Sequence, residues 1–76
     1  MISHTRATAG TRVRLKRDYR LPMSGKLIPS GTVGSITELE PTKFMDDRWY
    51  IWIRFEDNRG AWLPLVILNR IRRRRP

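Results

Sequence analysis

Arg48 to Ile71 reads RWYIWIRFEDNRGAWLPLVILNRI, and the alternation at its start decides the fold. From Trp49 to Phe55, Trp49, Ile51, Ile53 and Phe55 share one side of an extended chain, and Tyr50, Trp52 and Arg54 share the other. This is a strand with two usable faces. Glu56-Asp57-Asn58-Arg59-Gly60 supplies a tight turn, because Asn and Gly accept positive φ at little cost and the charges keep the loop in water. Ala61-Trp62-Leu63 then returns as a short strand. Pro64, which has no N–H to give a sheet, starts a helical turn through Leu65, Val66 and Ile67, and Leu68 to Ile71 extends again.

Working towards the N-terminus, Thr11 to Arg17 alternates Val13 and Leu15 with Arg12, Arg14 and Lys16, a strand with one dry face. Asp18 to Ser30 holds Pro22, Gly25 and Pro29 and no sustained period, so it reads as a long irregular loop. Gly31 to Leu39 is a second strand, rich in β-branched residues. Its apolar spacing slips, with Val33 and Ile36 three apart, and Gly34 is the expected position of a bulge. Pro41 to Asp47 forms a polar connection, with Phe44 or Met45 folding back over the end of the structure.

A chain of 76 residues accommodates one domain, which buries roughly 60 per cent of its unfolded surface and needs large side chains to fill its core. The expected organisation is a flexible N-terminus over 1–10, a folded domain over 11–71 and an Arg-rich tail over 72–76. The absence of Cys excludes disulfides and thiolate metal sites. No stretch suits a signal peptide or a membrane span, so a soluble, cytoplasmic protein is expected. The only biased segment is Arg70 to Arg75.

Taken in order, these segments describe an all-β fold: a small five-stranded barrel with a long loop after strand 1 and a short helical turn before the last strand. Over about Gly10 to Ile71 the chain resembles the SH3-like barrels. Asn58 to Pro64 with Val66 and Ile71 is similar to the distal hairpin, fourth strand and closing turn of that class. Gly10-Thr11-Arg12-Val13, Gly31 to Ile36 and Ile53-Arg54-Phe55 are similar to the KOW-type translation and transcription modules and to the small peripheral subunit of photosystem I. The Ala-Leu-Tyr-Asp-Tyr signature of the peptide-binding members is absent. Its nearest trace is Asp18-Tyr19, so the resemblance does not carry over a proline-rich-ligand groove.

Charge points to function. Sixteen Lys and Arg against seven Asp and Glu give a net charge of +9, and taking away the four arginines at 72–75 still leaves +5. Arg predominates, and its planar fork grips phosphate and stacks on bases. The expected function is a nucleic-acid-binding accessory or regulatory domain: Arg12, Arg14, Lys16, Arg17, Arg54 and the tail residues Arg72, Arg73, Arg74 and Arg75 neutralise phosphate, while Tyr50 and Trp52 stack on bases. The alternative is a protein-interaction module that docks on an acidic partner or within a larger complex through the 18–30 loop and the same aromatic pair. A basic stripe beside Tyr50 and Trp52 favours the first reading, and an apolar groove under the loop favours the second. Trp49 and Trp62 are expected to fill the barrel or its rim.

No enzyme is expected. The single His4 lies near the N-terminus, there is no Cys, and no Ser has a partner that would activate it. Asp46-Asp47 with Glu38 and Glu40 matches no metal-ligand spacing, and Gly31 to Gly34 lacks the Lys-Ser/Thr and helix of a phosphate loop. No cofactor, metal or small-molecule substrate is expected.

Overall fold

The computed structural model describes residue 5 and residues 7–71. The fold is all-β: β1 (Arg12–Leu15), β2 (Tyr19–Arg20), β3 (Leu27–Ile28), β4 (Val33–Ile36), β5 (Thr42–Lys43), β6 (Trp49–Phe55), β7 (Gly60–Pro64) and β8 (Leu68–Arg70), with a 3-10 turn at Leu65–Ile67. Among the described residues no helix is long and apolar enough to cross a membrane.

The five expected strands appear as β1, β4, β6, β7 and β8, and all their pairings are antiparallel. They lie side by side in the order β7, β6, β4, β1, β8. β5 adds to β6 through Thr42↔Tyr50 and Lys43↔Trp49, on the edge that β4 occupies further along, since β7 takes the other edge. The hydrogen-bonded sheet is open, with β7 and β8 as its edges and the 3-10 turn between them in sequence. Val13, Ile51, Ile53, Leu63 and Leu68 all have 0% exposure, and Ile28, Leu65 and Ile67 join them in one core cluster that covers the inner face of the sheet.

Two expectations are corrected. The segment after β1 is not irregular: Tyr19 pairs with Ile28 and Arg20 with Leu27, and Leu21 N–H donates to Lys26 O at 2.8 Å. Gly25, at φ 72°, makes the tip, and Asp18 Oδ1 accepts the Ser30 N–H at 2.7 Å at the base. This hairpin lowers Ile28 into the core and packs Tyr19 and Leu21 against it. Gly34 carries no bulge either. Val13↔Gly34 and Gly34↔Phe55 run in continuous register, so Val33 faces out and Gly34 and Ile36 face in. Glycine is required there because a Cβ would sit 2.4 Å from Ile53 Cγ2 and 2.9 Å from the Arg54 carbonyl oxygen.

β6 is flanked by two copies of one turn, which the sequence spells as Phe44-Met45-Asp46-Asp47-Arg48 and Phe55-Glu56-Asp57-Asn58-Arg59. In each, the Phe N–H donates to the Arg carbonyl (3.0 and 2.7 Å) and the fourth residue's N–H donates back to the Phe carbonyl (2.9 and 3.0 Å). The Asp carboxylate takes the Arg N–H at 3.1 and 3.0 Å. The fourth residue is left-handed in both, Asp47 at φ 65° and Asn58 at φ 68°. At the other end of the described chain, Ala7 packs against the core and Gly10 N–H donates to Ile36 O at 2.7 Å.

Candidate binding surfaces

The outer face of β6 presents Tyr50, Trp52 and Arg54, as their spacing requires, while Trp49 and Phe55 pack towards the core. Trp62 departs from the expectation. Its register partner is Trp52, so it stands on the outer face, and Ala61 and Leu63 on either side of it take the core positions. Trp52 and Trp62 meet edge to face, with ring centroids 5.6 Å apart and planes at 73°. Phe44, from the first of the twin turns, packs against Trp62 and Tyr50. Its centroid is 5.7 Å from Trp62 and 4.7 Å from Tyr50.

Across from these rings lies the β2–β3 hairpin. Tyr19, Leu21, Pro22 and Met23 on one side and Phe44, Met45, Tyr50 and Trp62 on the other enclose a groove of about 490 Å³. Its walls are almost wholly apolar. Met23 and Met45 stand fully exposed at its rim and Phe44 is part-exposed, so three of the large hydrophobic side chains that the fold leaves in water converge here. The one charged lining residue is Asp46, and no Lys or Arg lines the groove. Asp46 Oδ2 accepts the Tyr50 hydroxyl at 2.5 Å. That bond, reinforced by burial and by the neighbouring Tyr19, pushes the Tyr50 hydroxyl up to about 12, and the same bond holds the Asp46 carboxyl below its ordinary value.

The expected phosphate-binding residues separate into groups. Arg12 and Arg54 flank Ser35 in one cross-strand row on the outer face, and Arg14 follows Arg12 along β1. All three are exposed, and Arg12 Nη2 holds Glu56 Oε1 at 2.9 Å. Lys16 and Arg17 continue past β1 towards the base of the hairpin. Arg72, Arg73, Arg74 and Arg75 lie outside the described residues. The structure brings Tyr50 into the groove and away from the arginine row, and it leaves Trp52 as the wall between the two, lining a depression on each side.

The sequence reading missed Phe44, Met45 and Trp62 as parts of one surface with Tyr50. The repeated Phe-x-Asp-Asp/Asn-Arg turn was the available signal: it places Phe44 at the β5–β6 corner and Asp46 within reach of Tyr50, four residues on. Among the described residues, no cluster of His, Asp and Glu could hold a metal ion. Comparison with protein-family models, curated proteins and solved structures finds no match to this chain.

Proposed function

We propose that this chain is a protein-interaction module whose curled sheet is an SH3-like barrel and whose ligand site is the groove between the β2–β3 hairpin and the Phe44, Tyr50, Trp62 surface. The observation that carries the reading is the convergence of Met23, Phe44 and Met45, exposed, on an aromatic floor. Leaving such side chains in water at one place forfeits burial worth roughly 1.5–3 kcal/mol each. Flexible thioethers at a rim adapt to a partner's shape, and aromatic residues supply rigid contact area.

The charge of the lining selects the occupant. In a protein of net charge +9 this groove offers a carboxylate and no cation, so it suits neither phosphate nor an acidic segment. It fits an extended apolar segment of a partner protein with a Lys or Arg beside the apolar residues, the cation meeting Asp46.

Selection from a random peptide library displayed on phage tests this, with the intact chain as bait and a Met23→Ser/Met45→Ser chain as the counter-bait. The double variant leaves net charge and core unchanged. Enriched peptides should combine apolar residues with a Lys or Arg, bind the parent at least tenfold more tightly than the double variant, and lose their preference for the cation against Asp46→Asn. Enrichment of acidic peptides, equal binding to both baits, or no enrichment would overturn the reading.

A further inference from the structure

A second surface lies on the far side of Trp52 from the groove and goes beyond the docking function. The register sets Arg12, Ser35 and Arg54 abreast on β1, β4 and β6, and two strand spacings put the arginine Cα atoms about 10 Å apart. Between them is a shallow depression of about 260 Å³ lined by both arginines, Ser35 and Glu56. Glu56 occupies one end of it through its 2.9 Å pair with Arg12, and both partners are exposed to solvent. An exposed pair of this kind is worth about 0–1 kcal/mol. A phosphate seated between Arg12 and Arg54 offers oxygens to both guanidinium groups, so it competes with this single-contact carboxylate.

Next along the same face a depression of about 590 Å³ runs between Trp52 and Arg54 on one side and Thr37 and Glu38 on the other. Its chemistry differs from that of the arginine row. Glu38 repels phosphate but accepts hydrogen bonds from an exocyclic amino group, and the Trp52 indole offers an apolar wall. The two depressions therefore match two parts of one ligand, an anionic backbone unit and a flat ring carrying N–H donors.

We propose that this face binds single-stranded nucleic acid, with a phosphate between Arg12 and Arg54 over Ser35 and an unpaired base in the depression between Trp52 and Glu38. A duplex keeps its bases stacked inside and offers this convex face only its backbone, so it receives the charge term alone.

The test is fluorescence anisotropy of a labelled short oligo(dC), an oligo(dT) of equal length and the duplex of the oligo(dC), titrated with the full chain over a range of salt. The single strand should bind more tightly than the duplex. Arg12→Gln and Arg54→Gln should each reduce the single-strand slope of log K against log salt by about 0.7. Glu56→Gln frees Arg12 and should tighten binding more than Glu40→Gln, which removes an equal charge elsewhere on the surface. Glu38→Ala should narrow the preference for oligo(dC), whose bases carry an amino group, over oligo(dT). Met23→Ser/Met45→Ser, which disables the groove, should leave all of this unchanged, so the two sites fail separately. Equal affinity for single strand and duplex, equal effects of Glu56→Gln and Glu40→Gln, or no binding would overturn the assignment.

Discussion

Tyr50 and Asp46, four residues apart, close on each other at the mouth of the groove: the hydroxyl donates to Asp46 Oδ2 at 2.5 Å while Asp46 Oδ1 takes the Arg48 N–H at 3.1 Å. One carboxylate therefore fixes both the turn and the ring. Tyr50 is raised from 10.0 to about 12, so the bond's contribution is complete below pH 10 and is lost as pH rises through about 12. Asp46 is lowered from 3.8, so its contribution is complete above that value and is lost as pH falls through the lowered one. The latch stays shut across the whole interval between. In a Tyr19→Phe background, which leaves Tyr50 as the only tyrosine and removes a minor part of its shift, phenolate absorbance should report Tyr50 ionising above its ordinary value of 10.0, and Asp46→Asn should bring it back towards that value. A parent Tyr50 that titrates at its ordinary value would show that the bond does not form in solution.

Gly60 is the seat of the Trp52 indole. A Cβ built there would lie 2.4 to 2.6 Å from Cζ2, Cε2 and Nε1 of the ring, which Trp62 confines from the side. Gly60→Ala should cost about 1–3 kcal/mol by overpacking and shift the tryptophan emission, as the ring tilts. Gly34→Ala, which meets the Arg54 carbonyl as well as a side chain, should cost more and leave the emission of the surviving folded protein unchanged. Urea denaturation followed by fluorescence separates the two effects.

Core positions should divide sharply from neighbours of the same chemistry. Ile51 and Leu63 face each other across β6 and β7 with no exposure, so Ile51→Ala or Leu63→Ala should each cost about 2–5 kcal/mol. Val66, in the 3-10 turn between Leu65 and Ile67, is exposed, and Val66→Ala should change stability by less than about 0.5 kcal/mol. Equal costs at Val66 and Leu63 would contradict the placement of the core.

The turn between β6 and β7 depends on backbone conformation more than on contacts. Asn58 sits at φ 68°, so Asn58→Gly should be close to neutral, whereas a β-branched residue carries the left-handed penalty and Asn58→Val should cost about 1–2 kcal/mol. Thermal denaturation of the two variants side by side provides the check.

β1 and β6 were legible because each alternates, and Val13, Leu15, Ile51 and Ile53 announced their faces by period alone, whereas the other three principal strands were placed by β-branched content and by the turns that bound them. The hairpin from Tyr19 to Ile28 was not, since Pro22, Gly25 and Pro29 break every window long enough to show a period; two short strands suffice once Ile28 and Tyr19 have a core to enter. At Gly34 a bulge was expected from side-chain spacing, but Val33 simply faces outward in unbroken register. Trp62 was expected in the barrel or at its rim on size alone, because a three-residue strand does not reveal its own register. Only pairing with Trp52 settles its face. The groove is therefore a product of register and of the Phe44 turn, two long-range outcomes, while the outward direction of Tyr50, Trp52 and Arg54 was local and could be read directly.

Trp52 walls the groove on one side and the Glu38 depression on the other, and it rests on Gly60 and Trp62 with no slack beneath it. A ligand that tilts the ring from either side reshapes the opposite one. For the two proposed ligands linkage would demand symmetry: the factor by which a peptide in the groove altered affinity for an oligonucleotide would be the factor by which the oligonucleotide altered affinity for the peptide. Were both proposed ligands to bind, this one indole would make the small sheet a two-input device, in which a single side chain sets whether they assist or exclude one another.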